Sequence, residues 1–120
     1  MNDELRLGYV ESRFADIIWK NEPLSSGELV KLCEGELKWK KSTTYTVLRK
    51  LCDRGIFKNE NGKVESLMTK DEFYAIQSEK FVEEAYDGSL PAFVAAFASR
   101  KALSDEEIKA IQKMIDSYRK

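Results

Sequence analysis

The chain has 120 residues, 42% hydrophobic and 34% charged, and a formal net charge of −1. This composition is too apolar for a disordered protein and suits one ordinary domain or two small ones with a modest core. The absence of histidine excludes histidine-dependent metal hydrolases and histidine-containing triads, and two cysteines are too few for a disulfide framework. No apolar run approaches about 20 residues, the length of a membrane-spanning helix. The N-terminus has no signal-peptide pattern, so we expect a cytoplasmic protein without membrane insertion, metal or cofactor.

Three helices are predicted in the first half of the chain. The first covers about residues 8–20, where apolar side chains recur every three or four positions, and Pro23 follows its end. The second covers about residues 27–36. The third covers about residues 42–54 and is followed by Gly55, a residue suited to the left-handed position after a helix.

A hairpin is predicted after the third helix. Residues 56–60 and 63–68 are short strand candidates, and Asn61-Gly62 between them is the favoured two-residue turn. Three helices followed by a hairpin is the order of a winged helix-turn-helix module. We therefore expect a mainly α fold with a small β-wing, and a DNA-binding domain over residues 1–69.

The remaining residues, 70–120, predict an all-helical dimerisation domain. The segments are about residues 69–88, residues 90–100 and a last helix that opens with the capping box Ser104–Glu107. Three short amphipathic helices cannot bury their apolar stripes alone, which favours a symmetric homodimer. The alternative is that this tail packs back on the first half of the same chain. The candidate interface residues are Phe73, Phe81, Leu90, Phe93, Val94, Phe97, Ile108, Ile111 and Ile115.

The basic charge of the chain is concentrated around the third helix. Between Lys38 and Lys58 lie seven cations and one acid, a net charge of +6. Such a run is often only a solvated helix face. Here the outward side of the helix also carries short hydroxyls near its N-terminus, and this combination fits a major groove flanked by phosphates. The candidate DNA-binding residues are Lys40, Lys41, Ser42, Thr43, Tyr45, Thr46, Arg49, Lys50 and Arg54, with Lys63 in the wing.

Simpler interpretations of several of these residues stay open. Ser42 and Thr43 can serve only as a helix cap, and Tyr45 can lie along the protein surface. Cys33 and Cys52 fall on inward helix faces and are expected to be small core residues. The two tryptophans, Trp19 and Trp39, are likewise expected in the core.

The residues resemble the penicillinase and methicillin-resistance repressors (BlaI/MecI type), a family that also includes copper-transport repressors. The resemblance extends from about Leu7 to Tyr118 and depends on the order and spacing of several motifs. The matching positions are Glu11 and Ile17–Trp19 in the first helix, Trp39, Thr43, Thr46, Leu48, Lys50, Leu51, Arg54 and Gly55 around the third, and Tyr86–Leu90, Phe93-Val94 and Leu103–Ile108 in the tail.

The resemblance implies a dimeric repressor on a palindromic DNA operator. It assigns base reading to Ser42, Thr43, Tyr45 and Thr46, and phosphate binding to Lys50 and its neighbours. Penicillinase-branch relatives are inactivated when a membrane-bound sensor protease signals cutting of the tail. The corresponding bond in this chain is Ala96–Phe97.

The sequence also departs from the family pattern. Lys40 stands where the family has serine, Lys50 replaces an arginine and so lacks its forked geometry, and Ala96 replaces an asparagine. The second strand of the wing lacks the family's aromatic pair. No cysteine follows Cys52, which excludes the C-terminal cysteine motif of the copper-sensing branch.

The expected function is therefore that of a bacterial transcriptional repressor that regulates antibiotic resistance, and not that of an enzyme. A rival interpretation is a winged-helix protein-interaction module that has no specific DNA binding. A small enzyme with Cys33 or Cys52 as nucleophile is a weaker rival, because it would lack a histidine base and both thiols lie on apolar stripes.

Overall fold

The computed structural model of the protein describes residues 7–119. The described residues divide into two compact units between Ser78 and Glu79, and this boundary falls within one helix. The sequence predicts a different division, after residue 69, between a DNA-binding and a dimerisation domain. That division stays a prediction. Each unit is described by itself.

Three helices begin the first unit: α1 (Tyr9–Asn21), α2 (Ser26–Leu37) and α3 (Lys41–Asp53). All three predicted helices are present, and each differs from its predicted range by one residue at both ends. Ser25 caps α2, because its Oγ accepts a hydrogen bond from the Glu28 N–H at 3.0 Å while Glu28 Oε1 accepts one from the Ser25 N–H at 3.1 Å. This reciprocal pair fixes where α2 begins.

A three-stranded antiparallel sheet completes the winged-helix fold. Strands β2 (Phe57–Glu60) and β3 (Lys63–Ser66) form the predicted hairpin. Asn61 and Gly62 join them with φ angles of 52° and 81°, the two positive values that a type I′ turn requires. Strand β1 (Leu24–Ser25), which the sequence did not predict, pairs with β3, and the order is β1-β3-β2.

The core of the first unit lies between these helices and the sheet. Trp19 occupies its edge, with ring centroids 5.3 Å from Phe57 and 5.8 Å from Phe73, and its Nε1 donates to the Met68 carbonyl at 3.1 Å. The fully buried side chains include Phe14, Ile18, Leu29, Cys33, Leu51, Ile56, Phe57, Val64 and Phe73.

The structure corrects one predicted interface residue. Phe73 was expected at a dimer interface, but its side chain is fully buried within the first unit. It lies in the first turn of α4 (Lys70–Tyr86), and Lys70 Nζ is 2.9 Å from Asp16 Oδ1 of α1. Because this end of α4 packs on the winged-helix core, Phe73 is not available to a second chain.

The second unit contains the end of α4, α5 (Leu90–Arg100) and α6 (Asp105–Ser117). The predicted bounds of α5 are confirmed. The predicted capping box of α6 is also confirmed: Ser104 Oγ accepts from the Glu107 N–H, and Glu107 Oε1 accepts from the Ser104 N–H, each at 3.1 Å. Neither α5 nor α6 contains a buried residue.

Candidate nucleic-acid interface

The inner and outer faces of α3 divide as the helical spacing predicts. Thr44, Leu48 and Leu51 are buried and fix the helix on the core. The candidate DNA-binding residues lie on the opposite side, where all but two are exposed. The exposed residues are Lys40, Lys41, Ser42, Thr43, Thr46, Arg49 and Lys50, together with Lys63 in the wing, while Tyr45 and Arg54 are half-buried.

The N-terminus of α3 has hydroxyls that are free to meet a ligand. The N-cap residue is Lys40, with no side-chain cap, so Ser42 and Thr43 are not helix caps. Among residues 7–119 neither of these two hydroxyls forms a hydrogen bond. Thr46 is exposed, and its Oγ1 donates to the Ser42 carbonyl at 2.9 Å, so the hydroxyl oxygen can still accept a hydrogen bond.

Tyr45 is held against α2. Its hydroxyl donates to Ser26 Oγ at 3.2 Å, and Lys41 Nζ is 6.0 Å from the centre of its ring. The N–H of Ser26 in turn donates to the Gly62 carbonyl at 2.8 Å. Tyr45 thus lies along the protein surface in the free chain, and Ser26 connects α3 with the turn of the wing, next to Lys63.

A carboxylate from α1 contacts two cations at the other end of α3. Glu11 Oε2 is 3.1 Å from Lys50 Nζ, and Glu11 Oε1 is 3.9 Å from Arg54 Nη1. The same Oε1 accepts the N–H of Gly8 at 3.1 Å. Burial raises the pKa of Glu11, but the Gly8 N–H and the two cations outweigh it and hold the pKa below its ordinary value.

The two wing lysines differ in their surroundings. Lys58 Nζ is 3.3 Å from Glu65 Oε1 and 3.6 Å from Glu60 Oε1. The hydrogen bond with Glu65, and then the charge of Glu60, raise the pKa of Lys58 above its ordinary value. Lys63 is exposed and forms no ion pair within the part of the chain that the structure describes. The wing therefore presents Lys63 as its available cation.

The second unit leaves a set of large apolar side chains exposed or half-buried, and we call this set the tail apolar face. The exposed fractions are 54% for Leu90, 49% for Phe97 and 53% for Ile115. Phe93 is half-buried, because its ring lies 6.0 Å from Phe81 and 5.6 Å from Tyr86. The face consists of Phe81, Leu90, Phe93, Val94, Phe97, Ile108, Ile111 and Ile115, the predicted interface residues other than Phe73.

The bond between Ala96 and Phe97 lies inside the regular part of α5. The Lys101 N–H donates to the Phe97 carbonyl at 3.1 Å, and Ser99 Oγ donates to the Ala96 carbonyl at 2.7 Å. A protease binds an extended substrate strand, so this segment must unwind before the bond is reached.

The cysteines are core residues and do not form a reactive site. Cys33 is fully buried, and burial raises the pKa of its thiol to about 11. Cys52 is half-buried, and burial raises its pKa too. Within residues 7–119 no cluster of three or more His, Cys, Asp or Glu side chains is arranged to hold a metal ion. No helix in the same range has the length and apolarity needed to cross a membrane.

Together, the three helices, the β1-β3-β2 sheet and the exposed polar face of α3 define a winged helix-turn-helix protein. The sequence profile of the penicillinase repressor family matches residues 7–117. The chain belongs to this family, whose members are transcriptional repressors and not enzymes.

Several relatives match along most of their length at low identity. The penicillinase repressor of Bacillus licheniformis is 23% identical over 107 residues, which cover 86% of this chain and 84% of the relative. The methicillin resistance regulatory protein MecI of Staphylococcus aureus (strain Mu50) is 22% identical over 119 residues, covering 96% and 97%. MecI of Mammaliicoccus sciuri is 21% identical over the same length.

Proposed function

We propose that this repressor binds, as a homodimer, a palindromic operator in double-stranded DNA. The observation that carries the proposal is the exposed face of α3, where the hydroxyls of Ser42 and Thr43 have no partner within residues 7–119 and cations stand on both sides of them along the helix. The names of the relatives refer to penicillinase and methicillin resistance, and we propose that the regulated genes here belong to the same resistance class.

The roles along α3 follow from side-chain length and charge. Ser42, Thr43 and Thr46 are short, so they let the helix end enter the major groove and contact base edges or thymine methyl groups. Tyr45 also takes part in base reading. For this its hydroxyl leaves Ser26 Oγ and turns to the DNA. The phosphate contacts are assigned to Lys40, Lys41, Arg49, Lys50, Arg54 and Lys63.

Residues 70–120 are proposed as the dimerisation domain, beginning with the helix that Phe73 anchors on the winged-helix core. The tail apolar face supports this, because a second copy would cover side chains that the single chain leaves in water. A two-fold dimer presents two α3 helices to successive major grooves, about 34 Å apart. Once the first α3 helix has bound its half-site, the second α3 helix is held near the other half-site at a high effective concentration.

We further propose that repression ends when the tail is cut or separated. A cut at Ala96–Phe97, the bond that the family resemblance indicates, would release α6 and part of the tail apolar face, while α3 stays intact. Exposure of the repressor to the sensor-protease system of its host, followed by mass spectrometry of the fragments, tests this step. A fragment beginning at Phe97 supports it, and an intact chain under inducing conditions contradicts it.

Selection of genomic fragments in the presence of bulk competitor DNA tests the DNA-binding proposal. We expect a small set of enriched fragments that share one inverted repeat, and resistance or sensor-protease genes beside them. A winged-helix protein-interaction module would enrich no fragment over the bulk DNA, and that result would contradict the proposal.

A further inference from the structure

Glu11 is an acidic residue that contacts two of the proposed phosphate-binding cations, Lys50 and Arg54. Its two carboxylate oxygens are divided between Lys50, at 3.1 Å, and Arg54, at 3.9 Å. The side chain of Glu11 is 21% exposed and that of Lys50 is 54% exposed. The pair therefore lies at the protein surface, where a phosphate can reach Lys50.

The two sides of this ion pair differ in mobility. Glu11 is fixed at the start of α1, because its Oε1 accepts the N–H of Gly8 at 3.1 Å. Lys50 is half-exposed on a flexible stem of four carbons, so its ammonium can turn from Glu11 to a phosphate. After that movement the carboxylate stays where it was, close to the phosphate that Lys50 has bound.

We propose that Glu11 is a built-in competitor for DNA phosphate that lowers the affinity of the repressor for duplex DNA. The inference rests on the proposed DNA-binding function and adds an affinity-setting residue outside α3. Glu11 acts by occupying Lys50 and Arg54 in the free protein and by repelling the phosphate in the complex. Both effects operate within the Debye length of about 8 Å at physiological salt, so they are only partly screened.

The competition changes affinity without changing sequence preference. A phosphate contact positions the protein but carries no base information. Removal of the Glu11 charge is therefore expected to strengthen binding by the same factor on every duplex. It is also expected to steepen the salt dependence, because Lys50 then neutralises a phosphate without giving up an internal partner.

The test compares Glu11→Gln with the wild-type chain on a labelled mixed-sequence duplex, by fluorescence anisotropy over a series of salt concentrations. We expect binding about two- to fivefold tighter at moderate salt, the range of a half-exposed ion pair. The slope of log affinity against log salt should steepen by up to about 0.9 for each bound head. Glutamine keeps an oxygen that can accept the Gly8 N–H, and thermal unfolding followed by circular dichroism checks that α1 is retained.

Glu72→Gln is the matched control. Glu72 has the same position in its helix as Glu11, three residues after the N-cap Thr69, and its Oε1 accepts the Thr69 N–H at 3.2 Å. It forms no ion pair among the described residues, so its replacement removes one negative charge without freeing a cation. The inference is supported if Glu11→Gln increases the affinity for the duplex more than Glu72→Gln does.

Three outcomes would overturn it. The first is a Glu11→Gln chain that binds no more tightly than the Glu72→Gln chain. The second is weaker binding than wild type, which would show that Glu11 prepares Lys50 for DNA instead of competing. The third is a gain that stays undiminished when Lys50→Ala is added. If the wild-type chain binds neither this duplex nor any genomic fragment, the proposed function itself fails.

Discussion

At the scale of single residues, the exposed face of α3 separates side chains that can read bases from side chains that can only hold phosphate. Thr43 is exposed and its hydroxyl has no partner within residues 7–119, whereas Lys50 is exposed and already paired with Glu11. A hydroxyl at a base edge distinguishes sequences, and an ammonium on a phosphate does not. A substitution at Thr43 should therefore change sequence preference, whereas one at Lys50 should change the affinity for all sequences.

Lys50→Ala should weaken binding to all duplexes by a similar factor. The loss of one phosphate contact in each bound head should reduce the slope of log affinity against log salt by up to about 1 for each Lys50, and by less in the wild-type chain than in the Glu11→Gln chain, where no carboxylate offsets the lysine charge. Thr43→Ala should instead change which fragments are preferred and leave the slope unchanged. Titrations of both variants on a selected fragment and a mixed-sequence duplex measure this. An unchanged slope for Lys50→Ala would remove Lys50 from the phosphate contacts.

Cys33 should resist alkylation in the folded protein. Its side chain is fully buried and burial raises the pKa of the thiol to about 11, so the reactive thiolate is scarce at neutral pH. Iodoacetamide at pH 7, followed by mass spectrometry, should modify Cys33 only after the addition of denaturant. Rapid labelling of native Cys33 would contradict its assignment as a core residue and reopen the enzyme interpretation.

At the scale of secondary-structure elements, local signals predicted most of the fold. Asn61-Gly62 specified the hairpin turn, and the Ser104–Glu107 capping box specified the start of α6, because both depend on residues close together in the chain. Strand β1 was missed because it is two residues long, too short for any periodicity. Its pairing with β3 depends on residues about forty positions away, and the sequence gives no local sign of it.

Two Gly→Ala substitutions should have opposite effects on stability. Gly62 has φ +81°, so Gly62→Ala should lower the free energy of unfolding by about 1–2 kcal/mol. Gly35 lies within α2, and a methyl group added there would meet no atom within 4 Å, so Gly35→Ala should raise it by about 0.5–1 kcal/mol. Urea unfolding followed by the fluorescence of Trp19 and Trp39 measures both. A Gly62→Ala chain as stable as the wild type, or more stable, would contradict the turn assignment.

For the candidate site too, the sequence predicted the local features but not the contacts between residues that are far apart in the chain. The outward residues of α3 follow from helical spacing alone, and the structure exposes most of them. The partners Glu11 and Ser26 could not be predicted, because each contacts α3 across a long stretch of chain through tertiary packing. Phe73 was misassigned for a related reason: an apolar stripe shows that a face is covered, but not which surface covers it.

At the scale of the whole molecule, the proposal requires two chains. Ile115→Asp should produce monomers, because an unpaired carboxylate would have to be buried in the interface. Lys113→Asp, on the opposite side of α6, is the control and should remain dimeric. Sedimentation equilibrium should give a mass near the 13.8 kDa of one chain for the first variant and near twice that for the control. If the Ile115→Asp variant remained dimeric, Ile115 would not lie in the dimer interface.

Footprinting on an enriched genomic fragment tests the central claim most directly, because it reports on DNA binding and two-fold symmetry together. The account predicts protection of two inverted half-sites whose centres are about 10 base pairs apart, or a multiple of that. Both half-sites should become protected at the same protein concentration. Protection of one half-site alone, or of no sequence in preference to bulk DNA, would contradict it.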